Sequence, residues 1–233
     1  MARRVRTDVP AKTSGTAIEP IAPATAIRLR RYNLVMGVLH LAQGVAVLVL
    51  ANSFAIPVVA TFLDQQPGSA PDSLTTLFDF RFAWGVAAFL FISAIAHFLI
   101  SAPGVFPRYE RMLRAGRNDY RWIEYSLSAS LMAVLIALLP GITDIAAVIA
   151  IFGANAAMIF FGLLQERYER PGGSLLPFWL GSLVGIIPWL AIGVYLSGAG
   201  TDNTPTADIS SPTCAALPPK RCTRYSGSAG SRK

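Results

Sequence analysis

Three side chains in this sequence could handle protons in an apolar setting: His40, His97 and Glu124. Glu124 sits in the run Arg121-Trp122-Ile123-Glu124-Tyr125-Ser126-Leu127-Ser128, just inside an otherwise apolar stretch of membrane length. A carboxylate in hydrocarbon is expensive, and it marks a buried polar site, an ion path or a counter-ion. On helical spacing His40 shares a face with Gly37, Gln43 and Gly44, His97 with Ser93 and Ser101, and Glu124 with Ser128. At about 1.5 Å of rise per residue, His40 lies roughly 9 Å inside its span, with His97 at similar depth and Glu124 shallower. Polar faces on three helices at comparable depth point to one buried cavity. Two plainer readings stand beside it. A histidine near a helix end can be an interfacial group, and Glu124 can pair with Arg121 at i−3 and snorkel to the interface. The set has no recognised metal-ligand spacing, so no metal site is expected.

The elements that must position these groups are membrane helices. The chain of 233 residues is 53% hydrophobic and only 14% charged. Its apolar residues gather in five runs, roughly Leu34–Ile56, Phe80–Ala102, Trp122–Leu139, Ile142–Leu164 and Leu175–Leu196. Each approaches the roughly 20 residues that cross a hydrocarbon core. The third and fourth meet at Pro140-Gly141, a turn signal, and so form a tight helical hairpin.

The formal net charge of +7 is distributed by loop. Arg3, Arg4, Arg6, Lys12, Arg28, Arg30 and Arg31 precede the first span. Arg108, Arg111, Arg114, Arg117 and Arg121 lie between the second and third spans, and Arg167 and Arg170 between the fourth and fifth. The first-to-second loop instead holds Asp64, Asp72 and Asp79, with Arg81 at its edge. This alternation predicts a multi-pass membrane protein with a cytoplasmic N-terminus. The charge orients the chain in the bilayer and does not indicate a nucleic-acid partner.

Residues 1–30 read as a disordered cytoplasmic arm, residues 31–198 as the membrane domain, and residues 199–233 as a disordered tail. In the first outer loop, Pro57–Leu63 and Ser73–Phe78 flank the turn-rich Gln66–Pro71, which predicts a β-hairpin over the outer face. The fold class expected is therefore all-α integral membrane, with one hairpin. Gly181 and Gly185 form a G-x-x-x-G in the fifth span, a spacing that suits close helix approach within the chain or between two copies.

Six stretches together resemble the heliorhodopsins: Gly37-Val38-Leu39-His40-Leu41-Ala42-Gln43, Ala96-His97-Phe98, Arg121–Ser128, Ile151-Phe152-Gly153-Ala154-Asn155-Ala156, Leu164-Gln165-Glu166-Arg167-Tyr168 and Leu176-Pro177-Phe178-Trp179. The resemblance runs in order from about residue 30 to 198. It implies a seven-helix retinal protein of the cell membrane, related to the microbial rhodopsins, with its N-terminus cytoplasmic. Glu124 would be the counter-ion of the protonated retinal Schiff base. His40 and His97 would line the polar cavity beside it, with Gln43, Ser93 and Tyr125 nearby. Met132, Asn155 and Trp179 match positions around the chromophore. The family's dimers pack through helices four and five and the outer hairpin, which favours a homodimer role for Gly181 and Gly185. The implied activity is light sensing or regulation, through an unknown cytoplasmic partner, without ion pumping or enzymatic turnover.

The chain departs from this family in one decisive respect. Covalent attachment of retinal needs a lysine buried beside its carbonyl carbon, and the only lysines are Lys12, Lys220 and Lys233, none in an apolar run. After Gly200 the composition changes to Pro, Ser, Thr and Arg, with both cysteines, Cys214 and Cys222, and no apolar run of helical length. A frameshift in a GC-rich gene would produce such a tail, and a true five-span variant is the other reading. The competing function is a non-photoactive membrane scaffold or interaction protein.

Overall fold

The computed structural model describes residues 22–62, 74–169 and 172–198. The N-terminal arm before Ala22, the hairpin turn Gln66–Pro71 and the tail with Cys214 and Cys222 lie outside the described residues. In chain order the elements are α1 (Pro23–Val49), β1 (Ala55–Thr61), β2 (Leu74–Arg81), α2 (Phe82–Ser101), α3 (Phe106–Arg114), α4 (Asp119–Leu138), α5 (Ile145–Tyr168) and α6 (Leu176–Gly198). Five of them, α1, α2, α4, α5 and α6, are long and apolar enough to cross a membrane. At about 1.5 Å per residue, even 20 residues match a hydrocarbon core of roughly 30 Å. The chain is thus an all-α membrane protein carrying one small antiparallel hairpin.

α1 packs on α2, α2 on α4 and α4 on α5. α4 is the central helix: 44% of its apolar window is buried inside the chain, against 17–22% in the other four. Its second half supplies Ala133, Val134, Ala137 and Leu138 to a core completed by Ile142, Ile151 and Ile192. Its middle buries hydroxyls instead, with Ser126, Ser128 and Ser130 all below 5% exposed. α1 and α2 approach closely because Gly37 and Gly44 have no side chain. A Cβ on Gly37 would lie 2.8 Å from the Phe98 ring, closer than the packed carbons of a protein interior sit.

Caps set the ends of the two central helices. Asn118 Oδ1 accepts from Arg121 N at 3.2 Å at the start of α4, and Asp144 Oδ1 accepts from Ala146 N at 2.9 Å and Ala147 N at 3.2 Å at the start of α5. Both satisfy amides that a helix N-terminus leaves open. Between them, Gly141 takes φ 103° in the predicted turn, a conformation that suits glycine.

Both ends of α1 differ from expectation. α1 ends at Val49, so Ala55 and Ile56 belong to β1 and not to the first span. Asn52 Oδ1 accepts from Phe54 N at 3.0 Å, and this local side-chain turn turns the chain out of the helix. At its other end α1 begins at Pro23, so residues 23–30 of the stretch read as an arm are helical. Arg30 secures that extension by donating to Ser101 O at 2.8 Å and lying over the Phe106 ring.

The hairpin pairs Ala55 with Arg81 through to Thr61 with Leu74, with an irregularity between Val58 and Val59. Val58 and Ala60 are buried, and Val59 N donates to Thr143 O at 3.0 Å, tying β1 to the α4–α5 turn. α3, a short helix in the loop between the second and third spans, was not expected. Its sequence Phe106-Pro107-Arg108-Tyr109-Glu110-Arg111-Met112-Leu113-Arg114 is amphipathic but too short to stand out from a basic loop.

Candidate functional site

The structure brings the three ionisable groups into one cavity of ≈ 690 Å³ between α1, α2, α4 and α5, with Trp189 of α6 also on its wall. His40 of α1 and His97 of α2 stack with ring centroids 5.6 Å apart and planes at 12°. Ser93, one turn from His97, donates its hydroxyl to Glu124 Oε1 at 2.7 Å, joining α2 to α4. Ser128, 2% exposed, lines the same wall one turn beyond Glu124.

Asn33 completes this polar cluster and was missed from sequence. Its Nδ2 donates to Leu29 O at 2.9 Å, so Oδ1 is the atom that faces His97 Nδ1 at 2.9 Å. The hydrogen of that bond belongs to His97 Nδ1, which leaves Nε2 as the basic nitrogen of the neutral ring. The signal was available: Asn33 precedes Gly37 by four and His40 by seven, on the buried stripe of α1 that also holds Gly44. His40 Nδ1 is buried and has no hydrogen-bond partner among the described residues.

Arg121, the alternative partner for Glu124, is committed elsewhere. Its guanidinium pairs with Glu166 at 3.3 Å and lies 4.7 Å over the Trp122 ring. Trp122 Nε1 donates to the same Glu166 oxygen. Among the described residues Glu124 therefore forms no ion pair, and its hydrogen-bond partner is a neutral hydroxyl. This geometry leaves a carboxyl group open to a cation arriving within the cavity.

Past this cluster the wall becomes apolar: Phe89, Met132, Ala133, Ile136, Met158 and Trp189 line it. Asn155, 7% exposed, is held by donating to Ser130 Oγ at 3.2 Å. At the arginine-rich end Tyr109, Asn118, Tyr120 and Arg121 line the mouth. Burial raises the Tyr109 phenol above its ordinary range, against smaller lowering by its Asn118 hydrogen bond and by Arg121. The cavity thus joins a hydrogen-bonding head to an apolar body, the shape and polarity of an elongated amphiphile. Among the described residues no group of three His, Cys, Asp or Glu could hold a metal ion.

Several expected site residues fall differently. Met132, Asn155, Ser93, His40, His97 and Glu124 line the cavity, and Tyr125 lines its edge while 47% exposed. Gln43 does not line it. It lies instead in a separate groove with Asn52, Phe54 and Phe82 at the hairpin end of α1 and α2, because each residue of α1 past His40 climbs toward that end. Trp179 is 64% exposed against Phe178 at the start of α6, and the indole that reaches the cavity is Trp189, ten residues deeper. Gly181 and Gly185 are buried within the chain: Cβ atoms there would press on Phe161 and Met158 of α5. Their lack of a side chain lets α6 approach α5 closely at these positions.

Residues 29–209 match the family described as Heliorhodopsin. No curated protein matches the chain.

Proposed function

The chain belongs to the heliorhodopsin family of retinal-binding, rhodopsin-like membrane proteins, and from that premise we propose that it serves light sensing or regulation rather than ion pumping. The proposed orientation in the cell membrane puts the arginine-rich end in the cytoplasm, on the alternation of basic loops. The observation that carries the reading is Glu124, clamped by Ser93, beside a stacked histidine pair and free of Arg121. In this reading Glu124 is the counter-ion, and Asn33, Ser93, His40 and His97 orient the polar head of the site. Met132, Asn155 and Trp189 face the apolar body. No enzymatic reaction is assigned.

The fit of retinal to these residues divides in two. The wall suits it: an apolar chamber ends at a carboxyl group and at an orphaned imidazole nitrogen, His40 Nδ1. The covalent link does not: the five apolar spans among the described residues contain no lysine. Bound retinal would supply a polyene that changes shape on absorbing light. The residues here bind its body, exclude water from the chamber and hold a hydrogen-bonded carboxyl at its head. The missing span lysine is also the observation that favours a second reading, a non-photoactive membrane scaffold.

Two measurements test the proposal. Retinal added to the 233-residue chain is expected to leave no borohydride-trapped adduct, and an adduct on any of the three lysines overturns the account of the link. Residues 1–198 fused to the lysine-bearing last two helices of another heliorhodopsin are expected to give a visible band. In that fusion Glu124→Gln is expected to move the band to longer wavelength, since the counter-ion stabilises the ground-state cation. A folded fusion without a band supports the scaffold. An unmoved band removes Glu124 from its role.

A further inference from the structure

We propose that the arginine-rich boundary formed by the start of α1 and by α3 binds the phosphodiester headgroups of anionic phospholipids. Glu110 is taken by Arg114, Asp119 by Arg117 at 3.1 Å and Arg167 at 3.9 Å, and Glu166 by Arg121. Glu169 accepts from Ser174 N at 2.9 Å. Arg30 is used to bind Ser101 O and cover Phe106. The described carboxylates of this boundary are therefore occupied. Arg28, Arg31, Arg108 and Arg111 are left exposed, with no hydrogen-bond or ion-pair partner among the described residues. They form a cationic surface that nothing within the described chain neutralises.

The level of this surface relative to the bilayer decides what neutralises it. α3 connects the end of α2 to the start of α4 and turns Tyr109, 6% exposed, toward the bundle, where it meets the Tyr120 ring at 6.1 Å. Arg108 and Arg111, three apart, share an outward edge of that helix. The same end of the bundle carries exposed aromatics on three other helices: Tyr32 on α1 at 60%, Tyr168 on α5 at 71% and Trp179 on α6 at 64%. Tyr and Trp at one level of a bundle mark the headgroup layer. Tyr32 directly follows Arg31, so the free guanidiniums stand at the height of lipid phosphates. A guanidinium offers a planar set of donors that suits a phosphate oxygen pair. Anionic lipid is therefore the partner that both charge and height select, ahead of a soluble acidic protein.

The test uses the full chain in nanodiscs of phosphatidylcholine and phosphatidylglycerol, with retained lipids counted by native mass spectrometry. The wild type is expected to enrich phosphatidylglycerol. Arg28→Gln with Arg31→Gln, and Arg108→Gln with Arg111→Gln, are each expected to weaken that enrichment, by roughly fivefold per arginine at most. Arg108→Lys with Arg111→Lys should recover most of the charge effect, and Glu110→Gln with Arg114→Gln, which removes one paired charge of each sign, should leave enrichment unchanged. A quadruple glutamine variant that is folded by circular dichroism and still enriches phosphatidylglycerol overturns the proposal. So does a wild type that is indifferent to phosphatidylglycerol yet binds polyglutamate through these four arginines, since that assigns the surface to a protein.

Discussion

Ser93 and Glu124 are joined across α2 and α4 by a hydroxyl-to-carboxyl hydrogen bond of 2.7 Å. Ser93→Ala is expected to remove about 1 kcal/mol of stability, the scale of an interhelical hydrogen bond within a membrane. In the retinal-binding fusion it should shift the visible band less than Glu124→Gln does. Denaturation in detergent and the absorption spectrum report the two effects separately, and a Ser93→Ala shift as large as that of Glu124→Gln would place the controlling group on Ser93.

Asn33 fixes which nitrogen of His97 carries the hydrogen. Asn33→Leu removes the acceptor at Nδ1, so both neutral forms of the ring should become populated. With His40 replaced by Gln so that His97 alone reports, solid-state NMR of ¹⁵N-histidine should find one Nδ1–H form when Asn33 is present and a mixture in Asn33→Leu. Identical spectra would show that the ring is oriented by some other contact.

Gly185→Leu is expected to force Met158 out of its place on α5. Overpacking of this kind destabilises by about 1–3 kcal/mol. Monomer stability should fall while any monomer–dimer equilibrium measured by sedimentation keeps its constant. A selective loss of dimer at unchanged monomer stability would return this glycine to an intermolecular interface.

Burial holds the Tyr109 phenol above the usual tyrosine value of about 10. The neutral form is the one the fold favours, so its contribution is complete below the unfolded value and is lost as pH rises through the folded one. Alkaline titration followed by phenolate absorbance should show one late tyrosine that Tyr109→Phe deletes. If Tyr109 ionises with the exposed tyrosines, α3 is not seated as described.

The orientation can be read with impermeant maleimide on right-side-out vesicles, in a background where Cys214 and Cys222 are serine. Asn52→Cys, at the hairpin end, should label. Arg108→Cys, on α3, should label only after the membrane is opened. The reverse pattern inverts the proposed topology.

The five spans and the hairpin were legible because long apolar runs and turn-flanked β-branched segments have few alternative uses. His40, His97 and Glu124 line one cavity, and their similar depth is legible because helical rise is constant. The family resemblance puts Gln43 beside them, whereas Gln43 lines a groove nearer the hairpin. The same resemblance points to Trp179 alone, and nothing in the sequence singles out Trp189, the indole that lines the chamber. Gly181 and Gly185 could not be assigned in advance, since close approach within a chain and between chains asks for the same small residues. Asn33 was hidden by its neighbours: an asparagine two residues after a pair of arginines reads as part of the interface.

The backbone hydrogen bond from Val59 N to Thr143 O fastens the hairpin that follows α1 and precedes α2 onto the turn that joins α4 to α5. The two helical pairs are thus pinned to each other at one membrane surface by main chain. Nearer the opposite surface, α2 and α4 are held through side chains such as Ser93 to Glu124. A side-chain substitution can therefore cut the tie at the Glu124 end, whereas the main-chain tie at the hairpin survives any replacement of Val59 that keeps its N–H.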